Sequence, residues 1–129
     1  MSDTTQSTIK VEFAGGKRID ARVGDFHIQT DQPAKYGGEA GAPAPFDLFL
    51  ASLATCAGIF AWNFCEMRKL STEGLALEML CVDDEKKKMI GEVQFQLTLP
   101  GGFPDKYRQG IIRAMQPVSY THLRAHETS

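Results

Sequence analysis

The three cysteines, Cys56, Cys65 and Cys81, are the side chains of this sequence best suited to nucleophilic or redox chemistry. Their number is odd and no C-x-x-C pair occurs, so the spacing predicts neither a disulfide framework nor a zinc site. Cys56 and Cys65 fall in one predicted helix, where nine residues correspond to about 900° of rotation and about 13 Å of rise. The two thiols therefore point to opposite faces and cannot pair within that helix.

Cys56 lies in the stretch "LASLATCAGIFAW". Its helical neighbours at three and four residues, Ser52, Leu53, Ile59 and Phe60, form an apolar wall with one hydroxyl, which would suit a thiol that meets a hydrophobic substrate. The sequence spacing alone still favours a packing role for Cys56 over a reactive one. A free cysteine usually behaves as a small hydrophobe, and a reactive thiolate needs a nearby cation or a helix N-terminus.

Packing is also the preferred interpretation of Cys65 and Cys81. Cys81 is in line with Leu77 and Met79 on one face of a predicted strand. His27 is predicted to be a strand surface residue rather than a base.

The secondary-structure elements that carry these residues are predicted from the periodicity of apolar residues and from the glycines and prolines that mark turns and loops. Three alternating segments, "TIKVEF", "RIDARV" and "FHIQT", predict an antiparallel β-meander. The Gly/Pro-rich segment Asp31 to Pro45 is predicted to be a functional loop. A long helix from Phe46 to Leu70, a hairpin of "LALEMLCVD" with "MIGEVQFQLTL", and a last helix within residues 100–115 complete an α+β fold.

The long helix is apolar on every face, which predicts that it is buried. A domain of 129 residues would struggle to bury such a helix alone, and its small residues would let another helix approach closely. A homodimer with this helix at its centre is the resulting hypothesis. A membrane span fits the length but is disfavoured by the polar residues Ser52, Thr55 and Asn63.

Length and charge limit the remaining possibilities. The chain has the size of one domain. Its net charge of −2 provides no excess of positive charge with which to bind nucleic acid or an anionic membrane. The basic cluster Lys86 to Lys88 follows three acids and is predicted to be a solvated turn. The polar N-terminus carries no export signal, so a cytoplasmic protein is expected.

The stretch "GAPAPFDLFLASLATCAGIFAWNFCEMRKL" resembles the central motif of the OsmC/Ohr family, in which a cysteine follows a loop proline by eleven residues. Pro45 and Cys56 match that spacing, and the likeness extends from Ile9 to Gln116. The resemblance implies intertwined homodimers and thiol-dependent reduction of organic hydroperoxides without metal or flavin cofactor. It also implies that Cys56 is the peroxidatic cysteine.

The sequence departs from the peroxidase members beside the motif proline. Those members carry a glutamate there, which helps to position an arginine from the meander over the thiolate, whereas this chain has Phe46, followed by Asp47. The matching cation could be Lys17, Arg18 or Arg22, and Arg18 is the first choice.

Two hypotheses of function follow. In the first, Cys56 reduces a small hydrophobic peroxide in oxidative-stress defence and a dithiol reductant regenerates it through a disulfide. In the second, the fold is a non-catalytic module that binds a small hydrophobic ligand.

The tail "VSYTHLRAHET" contains a His-x-x-x-His pair, but it matches the translated end of a transposase library adapter. Residues 1–116 are therefore predicted to form a single domain and residues 117–129 a non-native tail. The resemblance places a resolving cysteine near this point, and Cys65 faces the wrong way to replace it. A chain without that cysteine is expected to stall or over-oxidise after one turnover.

Overall fold

The computed structural model describes residues 7–84, 89–116 and 123–128. The chain divides into two compact units, residues 1–50 and residues 51–129. The predicted turn at Lys86 to Lys88 lies outside the described residues, as do residues 117–122 and 129 of the predicted tail.

The first unit is built on the predicted β-meander, which is confirmed. Strands β1 (Ile9–Gly15), β2 (Arg18–Val23) and β3 (Phe26–Thr30) form an antiparallel sheet in the order β1-β2-β3. The turn between β2 and β3 contains Gly24 at φ +58°, a conformation that glycine adopts without steric cost. Such tight turns fix the register of the sheet.

The two faces of this sheet differ in polarity because side chains alternate along each strand. One face carries charged pairs: Arg22 Nε contacts Glu12 Oε1 at 2.7 Å, and His27 Nε2 contacts Asp20 Oδ2 at 2.9 Å. The other face leaves large apolar side chains exposed: Ile9, Val11, Phe13, Phe26 and Ile28.

After β3, the loop contains a 3-10 turn at Ala34–Tyr36 and leads into helix α1 (Pro45–Met67). Proline suits the first helical position because the missing N–H would have no partner there. The sequence predicted that α1 would continue to Leu70, which is wrong by three residues.

The end of α1 is set by a Schellman motif. Lys69 adopts φ +55°, its N–H donates to the carbonyl of Glu66, and the N–H of Leu70 donates to the carbonyl of Cys65 at 2.9 Å. Arg68 is the first residue after the end of α1 at Met67. Its Nη1 nevertheless donates to the carbonyl of Phe64 at 3.2 Å, as a cation near a helix C-terminus can.

In the second unit, the predicted hairpin is confirmed. Strands β4 (Ala76–Asp84) and β5 (Met89–Thr98) pair antiparallel. Strand β6 (Leu123–Thr128), for which the sequence predicted no element, pairs parallel with β5 in the order β4-β5-β6. It falls within the predicted non-native tail, and the boundary at residue 116 stays a prediction.

The last predicted helix forms as a 3-10 turn (Asp105–Tyr107) followed by α2 (Arg108–Ala114). It packs closely on α1 at Gly110, where an added Cβ would come within 2.8 Å of the Phe64 ring. The Phe64 ring meets Tyr107 edge to face, and the Arg68 guanidinium lies 3.6 Å from the Phe64 ring centre. This small cluster joins the two helices.

The core of the second unit lies where these helices meet the sheet. Its fully buried side chains come from α1, from β5 and from the region of α2, and they include Ala57, Cys65, Phe95, Leu97, Ile111 and Met115.

Helix α1 is buried along one face in the single chain, not all round as its composition predicts. Its buried residues are Ala57, Ala61, Phe64 and Cys65, whereas Ile59 is 51% exposed. By length and composition alone α1 could cross a membrane, a property that it shares with core helices of soluble proteins.

Candidate functional site

The three thiols lie in three different environments. Cys56 is exposed, Cys65 is buried and Cys81 is half-buried. Cys56 and Cys65 occupy opposite sides of α1, as the nine-residue spacing predicts. Cys56 is therefore the thiol most open to a molecule that approaches from outside the chain.

Cys65 and Cys81 are packing residues. Cys65 has no exposed surface and lies in the core. Burial raises the pKa of the Cys65 thiol, since a thiolate is poorly stabilised there, and the charge of Arg68 partly opposes this effect. Cys81 faces Val93 across the β4–β5 ladder and packs against the core. Both positions agree with the sequence interpretation.

Apolar side chains surround Cys56 along α1. At three and four residues from it, Leu53 and Phe60 are half-buried, and Ile59 and the polar Ser52 are exposed. The hydroxyl of Thr55 donates to the carbonyl of Ala51 at 3.0 Å. Within α1 the thiol is thus bordered mainly by hydrocarbon, which suits a hydrophobic molecule.

The three candidate cations differ in their surroundings. Arg22 is engaged with Glu12 at 2.7 Å. Lys17 and Arg18 lie at the β1–β2 turn and line a polar cleft of about 240 Å³. The opposite wall is formed by the loop after β3, with Asp31, Gly37, Gly38 and Glu39.

Asp31 organises that loop, a role that the sequence interpretation missed. It is 1% exposed, and its carboxylate accepts the backbone N–H of Gln32 at 2.7 Å and of Gly41 at 3.1 Å. These bonds, with a further backbone contribution from Glu39 and the charge of Arg18, lower the pKa of Asp31 although burial opposes them. The available sequence signal was an aspartate before a glycine-rich turn, a residue type that binds neighbouring backbone N–H groups.

The Asp31 carboxylate predicts a loss of stability in acid. Its pKa in the folded protein lies below 3.8, so its contribution is present above that value and is lost as the pH falls through the lower folded pKa. We expect the free energy of unfolding, measured by urea titration, to decline below about pH 4. In Asp31→Asn this decline should be smaller, while the control Glu39→Gln should keep it. An Asp31→Asn variant with the wild-type acid dependence would contradict the assignment.

His27 is a surface strand residue, as predicted. Its Nε2 lies 2.9 Å from Oδ2 of Asp20, a residue that is 6% exposed. The second oxygen, Oδ1 of Asp20, is buried without a hydrogen-bond partner in the described part of the chain.

No group of three or more metal-ligating side chains occurs among residues 7–84, 89–116 and 123–128.

A separate apolar cavity lies in the second unit. It has a volume of about 290 Å³ and is lined by residues of α1 and β4, among them Gly58, Ala61, Trp62 and Leu77. On a regular helix, the α1 residues that line it are turned by about 140 to 240° from Cys56. The thiol and this cavity are therefore on different sides of α1.

Comparison with known proteins places this chain in one family. A family model described as OsmC-like protein matches residues 37–121. The chain therefore belongs to the OsmC family. No curated protein sequence matches it.

Solved structures of similar proteins support the fold. A candidate osmotic stress induced and detoxification response protein from Psychrobacter arcticus 273-4 has a TM-score of 0.80 at 22% identity, covering 99% of this chain and 98% of that chain. The organic hydroperoxide resistance protein OsmC from Legionella pneumophila has a TM-score of 0.68 at 16% identity, covering 99% and 100%. The organic hydroperoxide resistance protein OhrB of Bacillus subtilis has a TM-score of 0.60 at 13% identity, covering 96% and 98%. At these identities the likeness establishes the fold.

Proposed function

We propose that the protein reduces organic hydroperoxides through the thiol of Cys56. The observation that carries this proposal is that Cys56 alone among the three thiols is exposed, on a helix bordered by apolar side chains. The fold, shared with proteins named for organic hydroperoxide resistance, supports the same reaction class.

The reaction has two stages. The Cys56 thiolate attacks one peroxide oxygen, so that an S–O bond forms, the O–O bond breaks, and the alkoxide leaves and takes up a proton to become an alcohol. Sulfur is thereby oxidised by two electrons to a sulfenic acid. A resolving thiol then attacks the sulfenic sulfur and releases water. An external dithiol reduces the resulting disulfide by exchange, so that both thiols are restored and the reductant leaves as an intramolecular disulfide.

A cation is needed to favour the thiolate over the thiol. Arg18 remains our first choice for this role, because Arg22 is engaged with Glu12 and Arg18 is exposed beside an open cleft. Lys17, at the same cleft, is the second choice.

Trapping the first intermediate tests the proposal. One equivalent of cumene hydroperoxide followed by dimedone should add a single dimedone adduct, which peptide mass spectrometry should locate at Cys56. Cys81 provides the internal control, since it is half-buried in a strand and should remain unmodified. A protein that consumes no hydroperoxide and forms no adduct would exclude the reaction.

We further propose that the protein is a homodimer centred on α1. The exposed apolar side chains of α1, among them Phe46, Phe49 and Ile59, give a face that a second copy could cover. At micromolar concentration, light scattering should give twice the mass of one chain. Ile59→Lys should lower this mass, whereas Glu73→Lys, at an exposed position outside α1, should not. A monomeric wild-type protein would contradict the proposal.

We propose a cytoplasmic site of action for this member of the OsmC family.

The apolar cavity of about 290 Å³ supports the alternative, a binding module for a small hydrophobic ligand, since its volume is at the lower end of known ligand pockets. In that case a hydrophobic dye should bind equally to the wild type and to Cys56→Ser, and neither protein should consume hydroperoxide.

A further inference from the structure

One carboxylate and one guanidinium lie just beyond the end of the β2–β3 ladder. The last pair of the ladder is Ile19 with Thr30, so Arg18 and Asp31 are the residues that adjoin it along the chain. Both residues line the polar cleft beside the β1–β2 turn. The hydroxyl of Thr30 donates to the carbonyl of Ile19, which ties the two strands together immediately before these positions.

The two residues differ in how firmly they are held. Asp31 is 1% exposed, and its carboxylate oxygens are bound by the backbone N–H groups of Gln32 and Gly41. Arg18 is exposed, and within the described part of the chain it takes part in none of the side-chain hydrogen bonds or ion pairs. A fixed negative charge therefore faces a long cationic side chain that would otherwise sample many rotamers.

Other carboxylates of the described first unit are less suited to hold Arg18. Asp25 and Asp47 are exposed and do not line the cleft. Asp20 is paired with His27, and Glu12 with Arg22. Glu39 lines the same cleft but is exposed, so its own side chain must be ordered before it can order another. Asp31 combines burial, fixed geometry and a place in the same cleft as Arg18.

We propose that Asp31 is a positioning residue for Arg18, holding its guanidinium across the cleft by charge attraction. Any effect of this pair on Cys56 rests on the proposed function. The positioning part concerns only Arg18 and Asp31 and can be measured without peroxide. The attraction also lowers the pKa of Asp31, as expected for a carboxylate near a guanidinium.

Side-chain mobility provides the direct test. The Nε–Hε order parameter of Arg18, measured by ¹⁵N NMR relaxation, should fall in Asp31→Asn and stay at the wild-type value in Glu39→Gln, which removes the same charge from the same cleft. An order parameter that is unchanged in Asp31→Asn, or that falls equally in both variants, would overturn the proposal.

A reciprocal measurement avoids altering the loop, in case Asp31→Asn does not fold. In Arg18→Gln the Asp31 carboxyl retains its backbone donors, and its pKa, followed by the ¹³C shift of the carboxyl carbon, should move upward from the wild-type value. Arg22→Gln removes the same charge from the same strand and should leave the pKa of Asp31 at its wild-type value. An Asp31 titration that is identical in wild type and Arg18→Gln would refute the pairing.

The link to Cys56 is tested separately by the rate of alkylation with iodoacetamide. If Arg18 acts on Cys56, both Arg18→Gln and Asp31→Asn should slow alkylation, and the double variant should be no slower than Arg18→Gln alone. If the decrease in the alkylation rate of the double variant equals the product of the decreases in the two single variants, Asp31 acts on Cys56 independently of Arg18. That result would overturn its positioning role in the reaction. Rates unchanged in all three variants would remove Arg18 from the proposed function, while the NMR results would still decide whether Asp31 holds it.

Discussion

Replacement of Cys56 by serine is expected to abolish consumption of cumene hydroperoxide above the rate of the dithiol alone. Serine preserves the size of the side chain, but its hydroxyl cannot be oxidised reversibly by two electrons, so no sulfenic acid can form. The measurement is the disappearance of hydroperoxide with dihydrolipoic acid or dithiothreitol present. This variant should show the largest effect on activity of any single substitution.

Cys81→Ser is the matched control, because it removes a thiol that is half-buried in β4. It should retain activity after allowance for the folded fraction. Equal activity of Cys56→Ser and the wild type would exclude the thiol mechanism. Equal losses in both variants would indicate damage to the fold instead of loss of a nucleophile, and circular dichroism of each variant separates these cases.

Replacement of Phe95 by alanine is expected to cause the largest loss of stability, about 3 to 5 kcal/mol. Phe95 is 1% exposed and lies on β5, in the core that is shared with Cys65 and Ile111. Truncation removes a buried ring and leaves a cavity that the surrounding helices and strands fill only in part. The free energy of unfolding from urea denaturation provides the measurement.

Leu80→Ala tests whether that loss comes from burial. Leu80 lies on the neighbouring strand β4 but is 53% exposed, so its truncation should change the free energy of unfolding by about 0.5 kcal/mol or less. A Phe95→Ala variant no less stable than Leu80→Ala would contradict the core assignment.

Some residues of the candidate site could be predicted from local sequence, whereas others depend on contacts between distant parts of the chain. Cys56 could be singled out from the family-like motif and from helical geometry, since a nine-residue separation places Cys65 on the opposite face of any regular helix. Asp31 could be recognised only as an aspartate before a glycine-rich turn. Its hydrogen bond to Gly41 and its place in one cleft with Arg18 depend on the tertiary structure.

By itself the sequence determined the elements whose signals are local. The alternation in β1 to β5 and the apolar run of α1 appear within a few residues of each position, so both could be predicted. The end of α1 at Met67, the burial of only one of its faces, and the parallel pairing of Leu123–Thr128 with β5 were decided by the tertiary structure. Most of these features depend on contacts between residues far apart in the chain. The end of α1 also depends on the positive φ of Lys69, a position where a glycine would have been a recognisable sequence signal for the end of a helix.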